Sequence, residues 1–333
     1  MNSAQAGAEQ NLGQGTGEMR EIAGVLPVVH TPLHQDESID FESLQRQIDW
    51  AFEQGIQGLC TGMVSELLRL SVTERCHLSE AIVTWARGRG AVVLGIGAES
   101  TRQALEYGRQ AAAIGADAVM AIPPVTTALS EVQLEKYFRT LAEEVNLPLI
   151  VQDASSYVGQ EIPLPLCVRL LDEYGSQKVL FKPEASPIGP RLSQLRDATD
   201  GRAQILEGSG GMFLIDSFRR GIVGTIPGME FLPAVVDLWR ALQQGNDERA
   251  YAIGLPLSAL VALQLQAGLD GFLAVEKYLM VQRGLFDRDL RRTPWSWELD
   301  EETRLELERL LKLLEAGREH GGGTGGLDAA TGI

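Results

Sequence analysis

Short runs of apolar residues alternate with longer amphipathic stretches along most of the chain. The runs are typical of buried parallel strands and cover 25–30, 58–61, 91–95, 118–122, 147–151, 178–181, 203–206 and 222–225. The stretches between them carry apolar residues at three- and four-residue spacing and are predicted as helices over 40–54, 72–87, 101–114, 130–144, 164–173, 190–198 and 212–220. This alternation predicts an α/β fold, a closed (β/α)8 TIM barrel.

Further helical patterns follow the eighth strand, over 232–244, 247–283 and 300–316. They exceed a single closing helix and therefore predict a C-terminal helical extension that packs on the barrel or on a partner subunit. We divide the chain into an N-terminal tail over 1–20, a barrel core over 21–228, a closing helix with the helical extension over 229–317, and a Gly-rich tail over 318–333. Both tails are expected to be disordered because they lack apolar periodicity.

Composition narrows the class of protein. A net charge of −16 argues against nucleic acid and anionic membranes as partners. No apolar run is long enough to cross a bilayer and the N-terminus lacks a secretory pattern, so a cytoplasmic location is expected. The cysteines are widely spaced and read as reduced thiols, and the histidines show no metal-ligand spacing, so neither disulfides nor a protein-held metal are expected.

One apolar run ends in a lysine. Lys182 closes the sixth strand pattern and precedes Pro183, which cannot continue a central strand. Lysine is rare, at positions 136, 178, 182, 277 and 312, while arginine supplies most of the positive charge. Since an amine can lose its proton and attack a carbonyl where a guanidinium cannot, Lys182 is a candidate Schiff-base lysine at the C-terminal face of the barrel. The alternative is a lysine that extends from the strand end to solvent.

Motifs in chain order resemble the dihydrodipicolinate synthase and N-acetylneuraminate lyase family over about 22–316. The best matches are Val29-His30-Thr31-Pro32, Gly55-Ile56-Gln57-Gly58-Leu59, Gly95-Ile96-Gly97-Ala98-Glu99-Ser100-Thr101, 112–119 with Pro123-Pro124, Phe181-Lys182-Pro183-Glu184-Ala185-Ser186 and Gly221-Ile222-Val223-Gly224. The resemblance implies class I, Schiff-base chemistry on 2-oxo acids by a (β/α)8 barrel. It maps the imine-forming lysine onto Lys182, with Pro183 inserted before Glu-Ala-Ser.

The chain departs from this family at the groups that handle protons. Met63 and Val64 replace the two threonines of the family's Gly-Thr-Thr-Gly-Glu loop, and Gln152 takes the position of the acid/base tyrosine. Tyr157 falls near the family's arginine position, and 123–127 lacks the tyrosine that a neighbouring subunit usually contributes. Because an amide cannot shuttle protons at neutral pH, the usual relay cannot operate with Gln152.

Another group must then serve as acid or base. Asp153 and Glu184 are expected to flank the pocket, where burial raises a carboxyl pKa into a useful range, although each could be a loop carboxylate. Glu66, Glu207 and His30 are weaker alternatives, since each could be a capping or structural residue. The catalytic candidates are therefore Lys182, Asp153 and Glu184. The candidate substrate-binding residues are Gln152, Ser65, Glu66, Tyr157, Glu207, Gly208 and Thr31.

The residues and the resemblance together predict a class I lyase or aldolase that acts on a small 2-oxo acid, with a second substrate other than aspartate-semialdehyde. A dehydratase of a 2-keto-3-deoxy acid would use the same imine. Two alternatives stay open: a catalytically silent barrel for ligand binding or assembly, and a carboxylate-driven reaction in which Lys182 only neutralises Glu184. No organic cofactor is implied, because the imine is itself the electron sink, and a homotetramer or homodimer is expected.

Overall fold

Eight short parallel strands form the centre of the molecule. A computed structural model describes residues 20–320, so most of the predicted tails, 1–19 and 321–333, lie outside the described residues. The strands are β1 (Gly24–Val25), β2 (Gly58–Cys60), β3 (Ala91–Gly95), β4 (Ala118–Ala121), β5 (Leu149–Asp153), β6 (Val179–Pro183), β7 (Leu206–Glu207) and β8 (Gly224–Thr225). The strands β2 to β8 begin and end within three residues of the predicted strands, and β1 is shorter than predicted.

The strands close into a barrel. Regular pairing runs through β2-β3-β4-β5-β6 and through β1-β8-β7, and all of these pairs are parallel. Two isolated parallel bridges, Val28 with Cys60 and Phe181 with Ile205, join the two groups at both seams. The predicted α/β TIM barrel is therefore confirmed.

Helices follow the strands in the order that the periodicity predicts. They are α1 (Phe41–Glu53), α2 (Val72–Ala86), α3 (Thr101–Ile114), α4 (Glu131–Glu144), α5 (Leu164–Tyr174), α6 (Ile188–Ala198), α7 (Leu214–Arg219), α8 (Leu232–Gln243), α9 (Asp247–Leu265), α10 (Gly268–Gln282) and α11 (Glu301–His320). Local signals set several starts: the Asp40 carboxylate caps α1, and Ser71 with Glu74 forms a capping box on α2.

Alternation along the strands separates two apolar layers. Residues such as Ile150 and Leu180 fill the barrel interior, whereas their neighbours Val151 and Phe181 pack outward beneath the helices. The interior layer ends below the C-terminal strand ends. The next inward positions on β5 and β6 are Gln152 and Lys182, so the same period that builds the core delivers polar side chains to the barrel mouth.

The long predicted stretch over 247–283 is two helices rather than one. Helices α9 and α10 meet at a bend of 119°. The two helices approach closely at this bend, and a Cβ on Gly271 would collide with the carbonyl oxygen of Gln264, so the position needs a glycine. No single helix within 20–320 has the length and apolar character of a membrane span. The bent pair α9 and α10 together has that length and composition.

Candidate active site

Strands β5 and β6 place two polar side chains next to each other at the barrel mouth. Gln152 and Lys182 are register partners, and both are buried. The following pair in register is Asp153 with Pro183, which points to the opposite side of the sheet. The strand period therefore separates Gln152 and Lys182 from Asp153.

Lys182 forms a buried ion pair with Glu184. The distance from Lys182 Nζ to Glu184 Oε2 is 2.9 Å, and Gln152 Nε2 donates a hydrogen bond of 2.6 Å to the same oxygen. Burial raises the pKa of the Glu184 carboxyl, and Lys182 opposes that shift. Glu184 is therefore a carboxyl held in contact with the amine and able to exchange a proton with it.

Gly208 leaves the space that the lysine occupies. A Cβ at this position would lie 2.5 Å from Lys182 Cε and 2.4 Å from Glu184 Oε1. Both distances are far below van der Waals contact, so any side chain here would displace the pair. The glycine after β7 is thus a packing requirement of the site.

The pair lies on the wall of a cavity at the C-terminal end of the barrel. The cavity is mainly apolar, with a few polar groups, as small-molecule sites are. Its lining residues are Val28, Gly62, Met63, Val64, Met120, Gln152, Tyr157, Lys182, Glu184, Gly208, Gly210, Ile226, Pro227, Gly228, Leu269, Phe272 and Glu276. The last three come from α10, which covers one side of the barrel mouth.

Tyr157 supplies a phenol from the loop after β5. Its ring packs edge-on against Phe272, with 6.1 Å between the ring centroids. Burial raises the pKa of Tyr157, and the nearby carboxylates of Glu184 and Glu207 raise it further. The phenol therefore keeps its proton and is suited to donate a hydrogen bond to an anionic ligand.

A second polar cluster reaches the cavity through Glu276. The His30 Nε2 atom lies 3.4 Å from Glu276 Oε2 and 3.8 Å from Glu230 Oε2, and all three side chains are buried. Gln264 Nε2 donates a hydrogen bond of 3.1 Å to Glu230 Oε1. Lys277, the next residue along α10, contributes its charge to the field at this cluster.

The environment of this cluster favours neutral forms. Burial, with a smaller contribution from Lys277, lowers the pKa of His30 to about 3. Burial raises the pKa of Glu230 to about 7 and that of Glu276 well above its usual range, with the Glu230 carboxylate raising the second further. Because His30 is neutral near pH 7, its contacts with the two carboxyl groups are not ion pairs.

The same cluster is the one group within 20–320 whose spacing could hold a metal ion. The donor atoms of His30, Glu230 and Glu276 lie within 4.8 Å of one another. However, the backbone N–H of Met229 donates to His30 Nε2 at 3.3 Å, so the lone pair that would bind a cation is already engaged. We therefore do not assign these residues as metal ligands.

Thr31 and Ser65 do not line the cavity. Thr31 Oγ1 donates to the Ser65 carbonyl at 2.7 Å, and Ser65 Oγ accepts from the Gly62 N–H and donates to the Val29 carbonyl. These bonds hold the loop after β2 in place. Their hydrogen bonds are satisfied within the protein, and the predicted role of the two hydroxyls in substrate binding stays a prediction.

Glu66 and Glu207 are also structural. Glu66 Oε1 lies 2.8 Å from Lys277 Nζ, and Glu66 Oε2 accepts the Arg292 N–H at 2.7 Å. Glu207 accepts hydrogen bonds from the Ser209 N–H at 2.6 Å and from Thr225 Oγ1 at 2.7 Å. Neither residue lines the cavity, and the predicted substrate contacts of both carboxylates stay predictions.

Asp153 is not among the residues that line the cavity, and its predicted catalytic role stays a prediction. Its carboxylate accepts the Ser155 N–H at 3.0 Å and the Ile162 N–H at 2.8 Å, which anchors the loop that carries Tyr157. It lies on the helix side of the sheet, because it is one residue out of phase with Gln152. The predicted residues that the fold does bring together at the cavity are Gln152, Tyr157, Lys182, Glu184 and Gly208.

Glu276 was missed from the sequence. It lies in an Ala- and Leu-rich stretch whose pattern predicts only a helical extension. A signal was present, since Glu276 and Lys277 are adjacent charges inside the apolar run from Phe272 to Met280. A charged pair in the middle of a buried helix indicates either an ion pair or a site.

Known proteins match nearly the whole described chain. A model described as the dihydrodipicolinate synthetase family matches residues 21–314. An uncharacterized DapA-like lyase of Pyrococcus horikoshii is 28% identical over 288 residues, which cover 84% of this chain and 96% of that protein. The 4-hydroxy-tetrahydrodipicolinate synthase of Methanococcus vannielii is 30% identical over 180 residues, 54% of this chain and 60% of that protein, so the match spans less than two thirds of that relative's length.

Among solved structures, the 4-hydroxy-tetrahydrodipicolinate synthase of Methylacidiphilum fumariolicum superposes with a TM-score of 0.81. Its sequence is 25% identical, and the alignment covers 90% of this chain and 99% of that one. The similarity therefore extends over the barrel and the C-terminal helices together.

Proposed function

The chain belongs to the dihydrodipicolinate synthetase family, and on that premise we propose that it is a lyase in which Lys182 forms an imine with a small 2-oxo acid. The observation that carries this proposal is the position of the amine. Lys182 Nζ lies on the wall of the cavity, and Glu184 is its one ion-pair partner among residues 20–320. An ammonium has three N–H donors, so the amine keeps capacity to meet a ligand.

Imine formation needs an unprotonated amine. Glu184, at 2.9 Å, is placed to accept the proton from Lys182, and the burial that raises the pKa of Glu184 makes this transfer less unfavourable. The free amine then attacks the ketone carbon, and Glu184 returns its proton to the carbinolamine hydroxyl, which leaves as water. The resulting C=N⁺ group accepts the electron pair when a bond at the neighbouring carbon breaks.

Gln152 and Tyr157 have binding roles in this proposal. Gln152 holds Glu184 by its amide hydrogen bond and therefore orients the proton acceptor. Tyr157 lines the same cavity with a phenol that stays protonated, so it can donate to the carboxylate of the 2-oxo acid. The proposed substrate is thus a small anion that carries a ketone. The proposed reaction is that of a lyase, which is an aldol cleavage, a condensation or a dehydration.

A barrel that binds ligand without catalysis is the second candidate. Met63 and Val64 favour this second candidate. They line the cavity at the positions where, by the family resemblance, the two threonine hydroxyls are expected. Such a barrel would bind a 2-oxo acid reversibly and without covalent change. The two candidates therefore differ in whether a covalent adduct forms.

Borohydride trapping tests the imine. The protein is incubated with pyruvate or other small 2-oxo acids, reduced, and measured by intact mass. We expect a reduced adduct on the wild type and on Lys136→Arg, a substitution of an exposed lysine, and none on Lys182→Arg. An adduct on Lys182→Arg, or none on a folded wild type with every 2-oxo acid, would contradict the proposal.

A further inference from the structure

Helix α10 presents one face to the cavity. Leu269, Phe272 and Glu276 lie three and four residues apart, so they share a side of the helix, and all three line the cavity. Glu276 is thus the carboxyl group that the C-terminal extension contributes to the same cavity as Lys182. The barrel strands alone would leave this wall without an acid.

The Glu276 carboxyl has no hydrogen-bond partner of its own. Both of its oxygens are buried and lack a partner among residues 20–320, and so does Oε2 of neighbouring Glu230. Buried carboxyl oxygens are usually satisfied, and those that are not mark a strained or reactive group. Since Glu276 borders the cavity, the partner that it lacks can come from a bound ligand.

Resting on the imine proposed at Lys182, we propose that Glu276 is the acid/base residue that transfers the proton at C3 of the bound 2-oxo acid. In the forward step the C3–H bond breaks and the proton passes to the Glu276 carboxylate. The electron pair of that bond becomes the C2=C3 double bond of an enamine, and the C=N⁺ pair becomes a lone pair on the Lys182 nitrogen. The reverse step returns the proton to C3.

The other polar groups of the cavity are less suited to this role. Glu184 is engaged with both Lys182 and Gln152, and Gln152 cannot ionise. Burial raises the pKa of Tyr157 away from neutrality, which disfavours the phenolate. A carboxyl with a raised pKa, in contrast, moves toward neutrality, where a base both takes and returns a proton efficiently.

The groups around Glu276 explain its tuning. Burial raises the pKa of Glu276 most, the charge of Glu230 raises it further, Lys277 lowers it, and Glu66 raises it slightly. Neutral His30 lies 3.4 Å away. Lys277 is already paired with Glu66, so its effect is partly cancelled. Glu230 is therefore a positioning residue, because it acts on the reaction only through Glu276.

Deuterium exchange measures the proposed step directly. Pyruvate is incubated in D2O with the protein, and loss of the C3 proton signal is followed by NMR, which needs no second substrate. We expect Glu276→Gln to slow exchange by about 100-fold or more, the usual contribution of an acid/base group, while borohydride still traps the pyruvate adduct. We expect Glu276→Asp to keep part of the rate, and exposed Glu248→Gln to exchange at the wild-type rate.

The two proposals fail in different ways. A wild type that forms no adduct removes the imine itself, whereas a Glu276→Gln protein that forms the adduct and exchanges at the wild-type rate overturns only the role of Glu276. Loss of exchange in Tyr157→Phe, with exchange retained in Glu276→Gln, would assign the step to the phenol. Exchange that is abolished by EDTA and restored by Mn²⁺ or Zn²⁺ would also overturn the proposal in favour of a metal ion at the cluster.

The pH profile separates chemistry from packing. Exchange needs the carboxylate, so its rate is expected to rise with pH through the pKa of Glu276 in the adduct. Because the Glu230 charge raises that pKa, Glu230→Gln is expected to move the midpoint to lower pH. A profile that does not move in Glu230→Gln would contradict the coupling between the two carboxyl groups.

Discussion

Two lysine–glutamate pairs are buried in this molecule, and they differ in what else the lysine contacts. Lys182 lies 2.9 Å from Glu184, and Lys277 lies 2.8 Å from Glu66. All four side chains are almost inaccessible to solvent. By distance and burial alone the pairs are equivalent.

The hydrogen bonds separate them. Lys277 Nζ also donates to the backbone carbonyls of Thr31 and Leu290, so it makes two hydrogen bonds besides its ion pair with Glu66. Lys182 has Glu184 as its one partner within the described chain, and it borders the cavity. A fully satisfied ammonium ties segments together, whereas a partly satisfied one at a cavity is available for reaction.

This comparison refines the argument from composition. Lysine scarcity singled out Lys182, but Lys277 is equally one of the few lysines and is even more deeply buried. The distinguishing feature is therefore the count of satisfied donors at the amine, not the rarity of the residue type.

We expect the largest effect when each of the two lysines is replaced with methionine. Lys277→Met leaves the Glu66 charge unpaired in the core, and we expect it to lower the free energy of unfolding by about 3–5 kcal/mol. Lys182→Met leaves Glu184 with its Gln152 hydrogen bond and a cavity to face, so we expect a smaller loss together with no borohydride adduct. Denaturant unfolding of both variants measures this, and equal losses would contradict the distinction.

A smaller effect concerns Glu230, a buried carboxyl without an ammonium or guanidinium partner at ion-pair distance among the described residues. Burial raises its pKa to about 7, above the value of about 4.3 in an unfolded chain. The stabilising contribution of its proton is thus complete below about pH 4.3 and is lost as the pH rises through about 7.

Glu230→Gln mimics the protonated form at every pH. We expect wild type and Glu230→Gln to have similar stability near pH 4, and the wild type to be less stable by up to about 3 kcal/mol above pH 8. Thermal unfolding across this pH range, with exposed Glu248→Gln as control, measures the difference. A constant offset between the two proteins would show that the carboxyl does not titrate as stated.

The smallest expected effect concerns the packing of Lys182 against Gly208. Gly208→Ala would place a Cβ 2.5 Å from Lys182 Cε, whereas a Cβ on Gly62, across the same cavity, has its nearest neighbours at 3.6 Å. We expect Gly208→Ala to slow adduct formation by about tenfold, equivalent to about 1.4 kcal/mol, and Gly62→Ala to change it less than twofold. Equal rates in the two variants would mean that the amine is not held against Gly208.

Much of the fold was readable from local pattern. Strand and helix periodicity predicted the eight β/α steps and the C-terminal helices, because each pattern reflects which side of one element is buried. It also placed Lys182 at a strand end. The fifth strand shows the limit of local pattern, because it is predicted to end at residue 151 whereas β5 runs to Asp153. Gln152 and Asp153 therefore lie inside the strand, where one residue reverses the direction of a side chain and separates Asp153 from the cavity.

The barrel and the position of its amine follow from the repeating burial pattern within each element, so both can be predicted from the sequence. The chemistry around the amine depends on contacts between distant segments and appears only in the folded protein. Three distant segments supply the polar cluster: the segment after β1 carries His30, the turn before α8 carries Glu230, and α10 carries Glu276. These residues meet only because the barrel closes and α10 folds back over its mouth. Burial then sets their pKa values, and burial of this kind is a property of the assembled fold rather than of any one segment.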